Sequence, residues 1–322
     1  MTAPEVSVVI PTRDRSHFLA LTLASALWQE NVDLEVIVVD DGSRDATGEI
    51  VAALHDPRVR LIRHETPEGV SSARNDGIDE AGGAWVAFLD DDDLWAPAKL
   101  WAQLRAANGA GSTWAYTGVV KIDERQRVIG GRPPPSPREV FTRLRRWNLV
   151  PGGCSGVIAA REALTSVGQF DRRLVNLADW DLWIRLARTG PPACAPDPLV
   201  AYRLHRRQAS LDVSLILREA DLIDGRYGQL IDRGALHHYL AHRCLLAGKP
   251  RGAMNHFIRA ALHGEATQVA TDLSRLLSAR LARWARMPER PAPYAAWRLQ
   301  TADWLRRLED QVDPPLTAES HP

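Results

Sequence analysis

The stretch that decides the fold is Trp85-Val-Ala-Phe-Leu-Asp90-Asp91-Asp92-Asp93-Leu-Trp95. A short apolar run enters after the Gly82-Gly83 break, stops at four consecutive carboxylates, and resumes. Its length and its aromatic and aliphatic content predict a buried strand. Four like charges at a strand end repel one another unless something positive sits among them. In extended backbone, side chains two apart point the same way. Asp90 and Asp92 are then placed to face one ligand, and a hard divalent cation such as Mg2+ or Mn2+ suits paired carboxylate oxygens. A solvated acidic turn, with Asp93 capping the following helix, accounts for the stretch equally well.

Upstream, Val6–Ile10, Glu35–Val39 and Val59–Ile62 read as three more short strands. Each is followed by a helical pattern, and the third of these contains Ser71-Ser-Ala-Arg74-Asn75-Asp76-Gly77. Strands alternating with helices predict βαβ units and a mostly parallel sheet, whose ligands gather beyond the strand carboxyl ends. Thr12-Arg13, Asp40-Asp41 and Asp90 to Asp93 all fall at those ends. Downstream the alternation loosens. Gly130 to Pro137 reads as a stiff surface loop, a candidate flap, and Cys154 to Ala160 as a small-residue strand. Trp180, Trp183, Ile184 and Ala187 share one helical face behind Asp179 and Asp181. From about Leu211 strand signals vanish. Residues 235–247 and 250–262 form an αα-hairpin around Gly248-Lys249-Pro250, and further helical patterns follow. The tail from Asp313 is polar and reads as disordered.

Composition narrows the function classes. The chain has 322 residues, 45% hydrophobic and 25% charged, with zero formal net charge. That is ordinary globular composition without the basic field a nucleic-acid binder needs. Three dispersed cysteines fit neither a disulfide framework nor a zinc site, which points to a reducing, cytoplasmic setting. The start lacks a signal-peptide pattern, and no apolar run reaches membrane-spanning length. The histidines show no metal-ligand spacing, and His237 and His238, adjacent on a helix, should diverge. Trp284, Trp297 and Trp304, interleaved with arginines, read either as packing against the catalytic domain or a dimer partner, or as peripheral contact with an anionic inner-membrane surface.

Six motifs in order resemble the inverting nucleotide-sugar glycosyltransferases of family 2, which have the GT-A fold. They are Val8-Val-Ile-Pro-Thr-Arg-Asp-Arg15, Val38-Val-Asp-Asp-Gly-Ser-Arg-Asp45, Gly69-Val-Ser-Ser-Ala-Arg-Asn-Asp-Gly77, Phe88 to Trp95, Ala178-Asp-Trp-Asp-Leu-Trp-Ile-Arg-Leu186 and Tyr202-Arg-Leu-His205. The resemblance implies a catalytic domain over 1–210, with a nucleotide-binding half at 1–96 and an acceptor half at 97–210. A helical region over 211–312 and the tail at 313–322 follow. It implies a nucleoside diphosphate sugar donor, UDP-linked by the family likeness alone, and a glycan, lipid-linked or small-molecule acceptor. Asp92 matches the metal-holding position of an Asp-Xaa-Asp motif, and Asp90 the position near ribose and metal. Asp40 matches the carboxylate that reads the nucleobase. Thr12, Arg13 and Arg74 border base and phosphates, and His205 matches a position near diphosphate or metal. Asp179 matches the general base that takes the acceptor hydroxyl's proton. Ala178 departs from the family, which usually has an acid there. Asp41 is expected to close the turn at Gly42, Asp181 to lie on the helix surface, and Asp91 has no assigned role. A non-catalytic nucleotide-sugar-binding scaffold is the alternative. A nucleotidyltransferase is disfavoured, because the loop after the first strand is not Gly-rich and carries no lysine.

Overall fold

The structure, a computed structural model, describes residues 3–205, 212–284 and 295–311. The first half is built from β1 (Val6–Thr12), α1 (Ser16–Leu27), β2 (Leu34–Asp40), α2 (Thr47–Ala53), β3 (Val59–Arg63), α3 (Val70–Asp79) and β4 (Trp85–Phe88). β1 is buried along its whole length and pairs in parallel with β2 and β4, while β2 pairs in parallel with β3. Strands covered on both faces need no polar alternation, which is why β1 and β2 read as unbroken apolar runs. α3 approaches β1 closely because Gly77 has no side chain: a Cβ there would lie 2.3 Å from Val9 Cγ1.

The chain continues through β5 (Leu94–Trp95), α4 (Lys99–Ala110), β6 (Trp114–Ile122), β7 (Val128–Arg132), α5 (Pro137–Arg143), a 3-10 turn at Gly153–Gly156, β8 (Val157–Ala160), α6 (Arg161–Ser166), α7 (Ala178–Leu186) and β9 (Ala193–Arg203). The sheet order is β3-β2-β1-β4-β8-β6-β9-β5, with β7 beside β6. Beyond β4 the sheet becomes mixed. β8 runs antiparallel to both β4 and β6, β5 antiparallel to β9, and only β6 and β9 are parallel. Two expectations change here. Residues 128–132 are not a free flap but a strand hydrogen-bonded to β6, and Tyr116 Oη donates to the Pro135 carbonyl behind it. Residues 154–156 form a turn rather than strand.

The described chain divides into two compact units. The first comprises residues 1–144, 149–204 and the segment from 296; the second comprises 145–148 and 205–295. The second unit contains α8 (Val213–Tyr227), α9 (Arg233–Leu246), α10 (Pro250–Ala260) and α11 (Ala266–Trp284). α9 and α10 form the αα-hairpin, with Gly248 in the left-handed conformation (φ 69°) and Pro250 opening the second helix. α12 (Ala295–Glu309), which sequence groups with the helical region, belongs to the first unit. Its Trp304, Leu305 and Leu308 are buried with Val120, Ile122, Leu199 and Ala201 of the sheet, and Trp297 packs beside them. The side chain of Trp284 and the tail at 313–322 lie outside the described residues. No helix among the described residues is long and apolar enough to cross a membrane.

Candidate active site

The acidic stretch leaves β4 and closes a tight turn, with Asp93 N donating to the Asp90 carbonyl at 3.0 Å. The backbone is therefore not extended here, and the four carboxylates have different neighbours. Asp90 pairs with Arg74 at 2.6 Å. Asp91 and Asp92 both pair with Arg15, at 3.0 and 2.6 Å. Asp93 is fully buried, accepting from Ser155 Oγ at 2.6 Å and Arg203 N at 2.9 Å. It does not cap α4, whose N-cap position is Ala98. Asp91, without a role in the sequence, thus shares a cation with Asp92. Burial, reinforced by Asp92, pushes the Asp91 carboxyl up to about 7 against the pull of Arg15. Burial, then Asp92, likewise pushes Asp93 well above the usual carboxylate range. Arg15 and Arg74 each pair with acids of this turn, and the raised carboxyls of Asp91 and Asp93 show the strain of gathering four acids here. The carboxylate oxygens of Asp90 and Asp92 are the donor type a hard divalent cation takes, so the residues present fit one.

At the end of β2, the turn that sequence assigns to Asp41 is closed by Asp40 instead. Asp40 Oδ1 closes the turn by accepting from Ser43 N at 2.7 Å. Its Oδ2 is buried without a hydrogen bond, 3.7 Å from the Arg63 guanidinium. Asp41 instead fastens the loop before α3, accepting from Glu68 N at 2.7 Å and Gly69 N at 3.0 Å. Thr12 ends β1 in register with Asp40, and Arg13 is exposed, 3.7 Å from Asp14. Beside Asp40, Gly42, Ser43, Arg44, Arg63, His64 and Glu65 line a cavity of about 290 Å3.

His64 links this loop to α3, with Nδ1 at 2.8 Å from Asp41 and Nε2 at 2.9 Å from Asp76. Burial lowers its pKa, but the hydrogen bonds to Asp41 and Asp76 outweigh that and raise it above the ordinary value. A raised folded-state pKa stabilises the fold fully below about pH 6.5, and the contribution is lost as pH rises through the folded value. Urea denaturation at rising pH should therefore show a stability loss in the wild type above neutrality. The loss should be absent in His64→Gln.

Arg74, on α3, is buried and rests over the Phe170 ring at 5.3 Å. Burial works against its charge, but Cys154, Asp90 and Asp179 raise its pKa on balance. Burial keeps the Cys154 thiol protonated at neutral pH, so the two carboxylates are what hold the guanidinium. α3 also anchors the loop that leads to Asp179: Ser71 Oγ donates to Leu174 O at 2.6 Å, and Asn75 exchanges two hydrogen bonds with Phe170.

Asp179 stands half-buried in the first turn of α7, and its Oδ1 accepts from Trp180 N at 2.7 Å. Its Oδ2 lies 3.6 Å from where a Cβ on Gly153 would be. α7 is held rigidly below it. Trp180 Nε1 donates to Leu144 O at 2.6 Å, and Trp183 stacks on Trp114 with centroids 6.0 Å apart. Asp181 is not a surface residue; it is fully buried and clasps Arg185 at 2.9 and 2.8 Å. Ala178 is only 1% exposed, so that position carries core packing in this chain.

Asp90, Arg74 and Asp179 are thus brought together from β4, α3 and α7. His205 is buried but falls in the second compact unit. Motif reading missed Arg15, Ser155 and Arg203. Arg15 sat inside a quoted motif, yet nothing local marks the acids it meets 76 and 77 residues away.

A sheet with this strand order, its polar clusters at the strand ends and an acidic turn leaving the central strand define a GT-A glycosyltransferase fold. The model of Glycosyl transferase family 2 matches residues 7–167, and the chain belongs to that family. The chain is 43% identical over 228 residues to the succinoglycan biosynthesis protein ExoO of Rhizobium meliloti (strain 1021), covering 68% of this chain and 65% of that protein. It is 28% identical over 183 residues to the UDP-Glc:alpha-D-GlcNAc-diphosphoundecaprenol beta-1,3-glucosyltransferase WfgD of Escherichia coli, covering 57% and 70%. Among solved structures, S. aureus TarS 1-349 in complex with UDP-GlcNAc superposes with a TM-score of 0.58 at 16% identity, covering 82% of this chain and 76% of that one.

Proposed function

We propose that this protein is an inverting, metal-dependent glycosyltransferase that moves a sugar from a UDP-linked donor to a lipid-linked or glycan acceptor in polysaccharide assembly. The convergence of Asp90, Arg74 and Asp179 carries the reading, because it sets a phosphate-type cation and a carboxylate base around one space. Asp40 offers its Oδ2, which lacks a hydrogen bond, to a nucleobase N–H, and Thr12 and Arg13 border the base and phosphates. Arg74 meets the diphosphate with its planar fork. Asp179 takes the proton of the acceptor hydroxyl as that oxygen attacks the anomeric carbon. Attack opposite the leaving diphosphate inverts the carbon without a covalent enzyme intermediate. Asp92 and Asp90 would hold Mn2+ or Mg2+, which offsets charge on the leaving group as a Lewis acid. Arg15 would have to leave Asp92 for that, while its pair with Asp91 keeps it beside the turn. The UDP-linked donor and the lipid-linked acceptor are supported by the name of the WfgD relative, and polysaccharide assembly by that of ExoO.

The test is thermal. UDP should raise the Tm of the wild type more with Mn2+ than without. In Asp92→Asn the metal-dependent increment should vanish while the metal-free increment stays. An undiminished increment would remove Asp92 as the metal ligand.

A further inference from the structure

The second unit holds six of the ten histidines: His205, His237, His238, His242, His256 and His263. His237 and His256 meet at 3.1 Å between Nδ1 atoms. Burial, with His256 next, lowers His237 to about 4, so this is a contact of neutral rings. His238 and His242 differ. They stand one helical turn apart on α9, and each Nε2 lies 2.9 Å from the same oxygen, Oδ2 of Asp272 on α11. The rings pack edge-on against Phe257, with centroids 6.1 and 5.6 Å away. Gln268, one turn before Asp272, donates to its Oδ1 at 3.3 Å. Three donors within 4.8 Å of one another therefore converge on one point, with ring and carboxylate orientations held from behind.

We propose that His238, His242 and Asp272 bind a transition-metal ion of the Zn2+ class, which fastens α11 to the α9–α10 hairpin. Ligands about 2.0–2.1 Å from a tetrahedral ion stand about 3.3 Å apart. The two His–Asp separations of 2.9 Å need only a small outward shift to reach that, and all three ligand atoms already lie within 4.8 Å of one another. Two imidazole nitrogens and one carboxylate oxygen select zinc, cobalt or nickel over magnesium or calcium. Three protein ligands leave a position for water, and the His242 side chain is 42% exposed, so the group is open to solvent. Gln268 supplies the outer hydrogen bond that fixes a ligating carboxylate. The other convergent group, His64 with Glu68 and Asp76, does not offer this: Asp41 and Asp76 already occupy both His64 nitrogens.

The experiment uses the full chain carrying Asp92→Asn, so that the proposed donor-site metal does not contribute. After chelator treatment and dialysis, Zn2+ titrated by calorimetry should bind at one site per chain and raise the Tm. His242→Ala and Asp272→Asn should each weaken that binding at least tenfold, with unchanged far-UV circular dichroism in the metal-free state. Absence of Zn2+ binding, or an affinity in either variant equal to that of the chain with His242 and Asp272 intact, would overturn the proposal. Should Asp272→Asn fail to fold, the half-exposed His242→Ala carries the comparison. Co2+-loaded protein provides a second readout. The intense visible bands of low-coordinate cobalt should be present with His242 and lost with alanine. A pale, six-coordinate spectrum in both would also overturn it.

Discussion

Replacing Asp179 by asparagine is expected to lower sugar transfer by about 10²–10⁴-fold, the usual contribution of a general base, while leaving UDP affinity unchanged. The amide keeps the shape of the carboxylate and its hydrogen bond from Trp180 N, so α7 should stay in place. What it loses is the capacity to accept a proton. The separation of the two effects is the informative part. Arg74 loses the pull of the Asp179 charge but keeps its 2.6 Å pair with Asp90, so the donor side is retained, whereas the acceptor hydroxyl has no other carboxylate assigned to it. Initial rates of UDP release at saturating donor, set beside UDP affinity, measure both quantities. Turnover at the wild-type rate would exclude Asp179 as the base.

The second large effect concerns Arg74. Arg74→Met keeps most of the side-chain volume but removes the cation that pairs with Asp90 at 2.6 Å. Breaking a mostly buried ion pair from one side strands the remaining charge and typically costs about 3–5 kcal/mol. Asp90 is partly open to water, with its side chain 28% exposed, so the expected loss is at the lower end, about 3 kcal/mol. The contact over Phe170 is lost as well. Asp90 then sits beside Asp91 and Asp92 with its cation gone, so UDP binding should weaken together with stability. Urea denaturation and UDP titration of the same variant check the two. A variant with wild-type stability and wild-type UDP affinity would show that Arg74 is a bystander.

The architecture was legible because it rests on local patterns. Apolar runs such as Val6–Ile10 and Glu35–Val39, each stopping at polar clusters, specify strands whose ends share one edge. The order of the motifs supplied the family. What the sequence concealed was partnership over distance. Nothing near Asp91 announces Arg15, and nothing near Asp93 announces Ser155 or the Arg203 amide, because the fold alone brings these segments together. The neighbours Asp40 and Asp41 look interchangeable in a turn. They part only because Glu68 N and Gly69 N arrive beside the second of them. Trp304 shows the same limit, since helical periodicity marks an apolar face without saying which surface covers it. Contrary to the expectation that the histidines lack ligand spacing, His238 and His242 stand one helical turn apart; the pair goes unmarked because Asp272, which gives that spacing meaning, lies 30 residues further on.

The central claim is that Asp40, Arg74, Asp90 and Asp92 form a metal-assisted site for a nucleoside diphosphate. The measurement that meets it most directly is calorimetric titration of UDP into chelator-treated wild-type protein, with and without Mn2+. The expected result is one UDP per chain, bound at least tenfold more tightly when Mn2+ is present. Absence of UDP binding, or an affinity that is the same with and without Mn2+, would contradict the account.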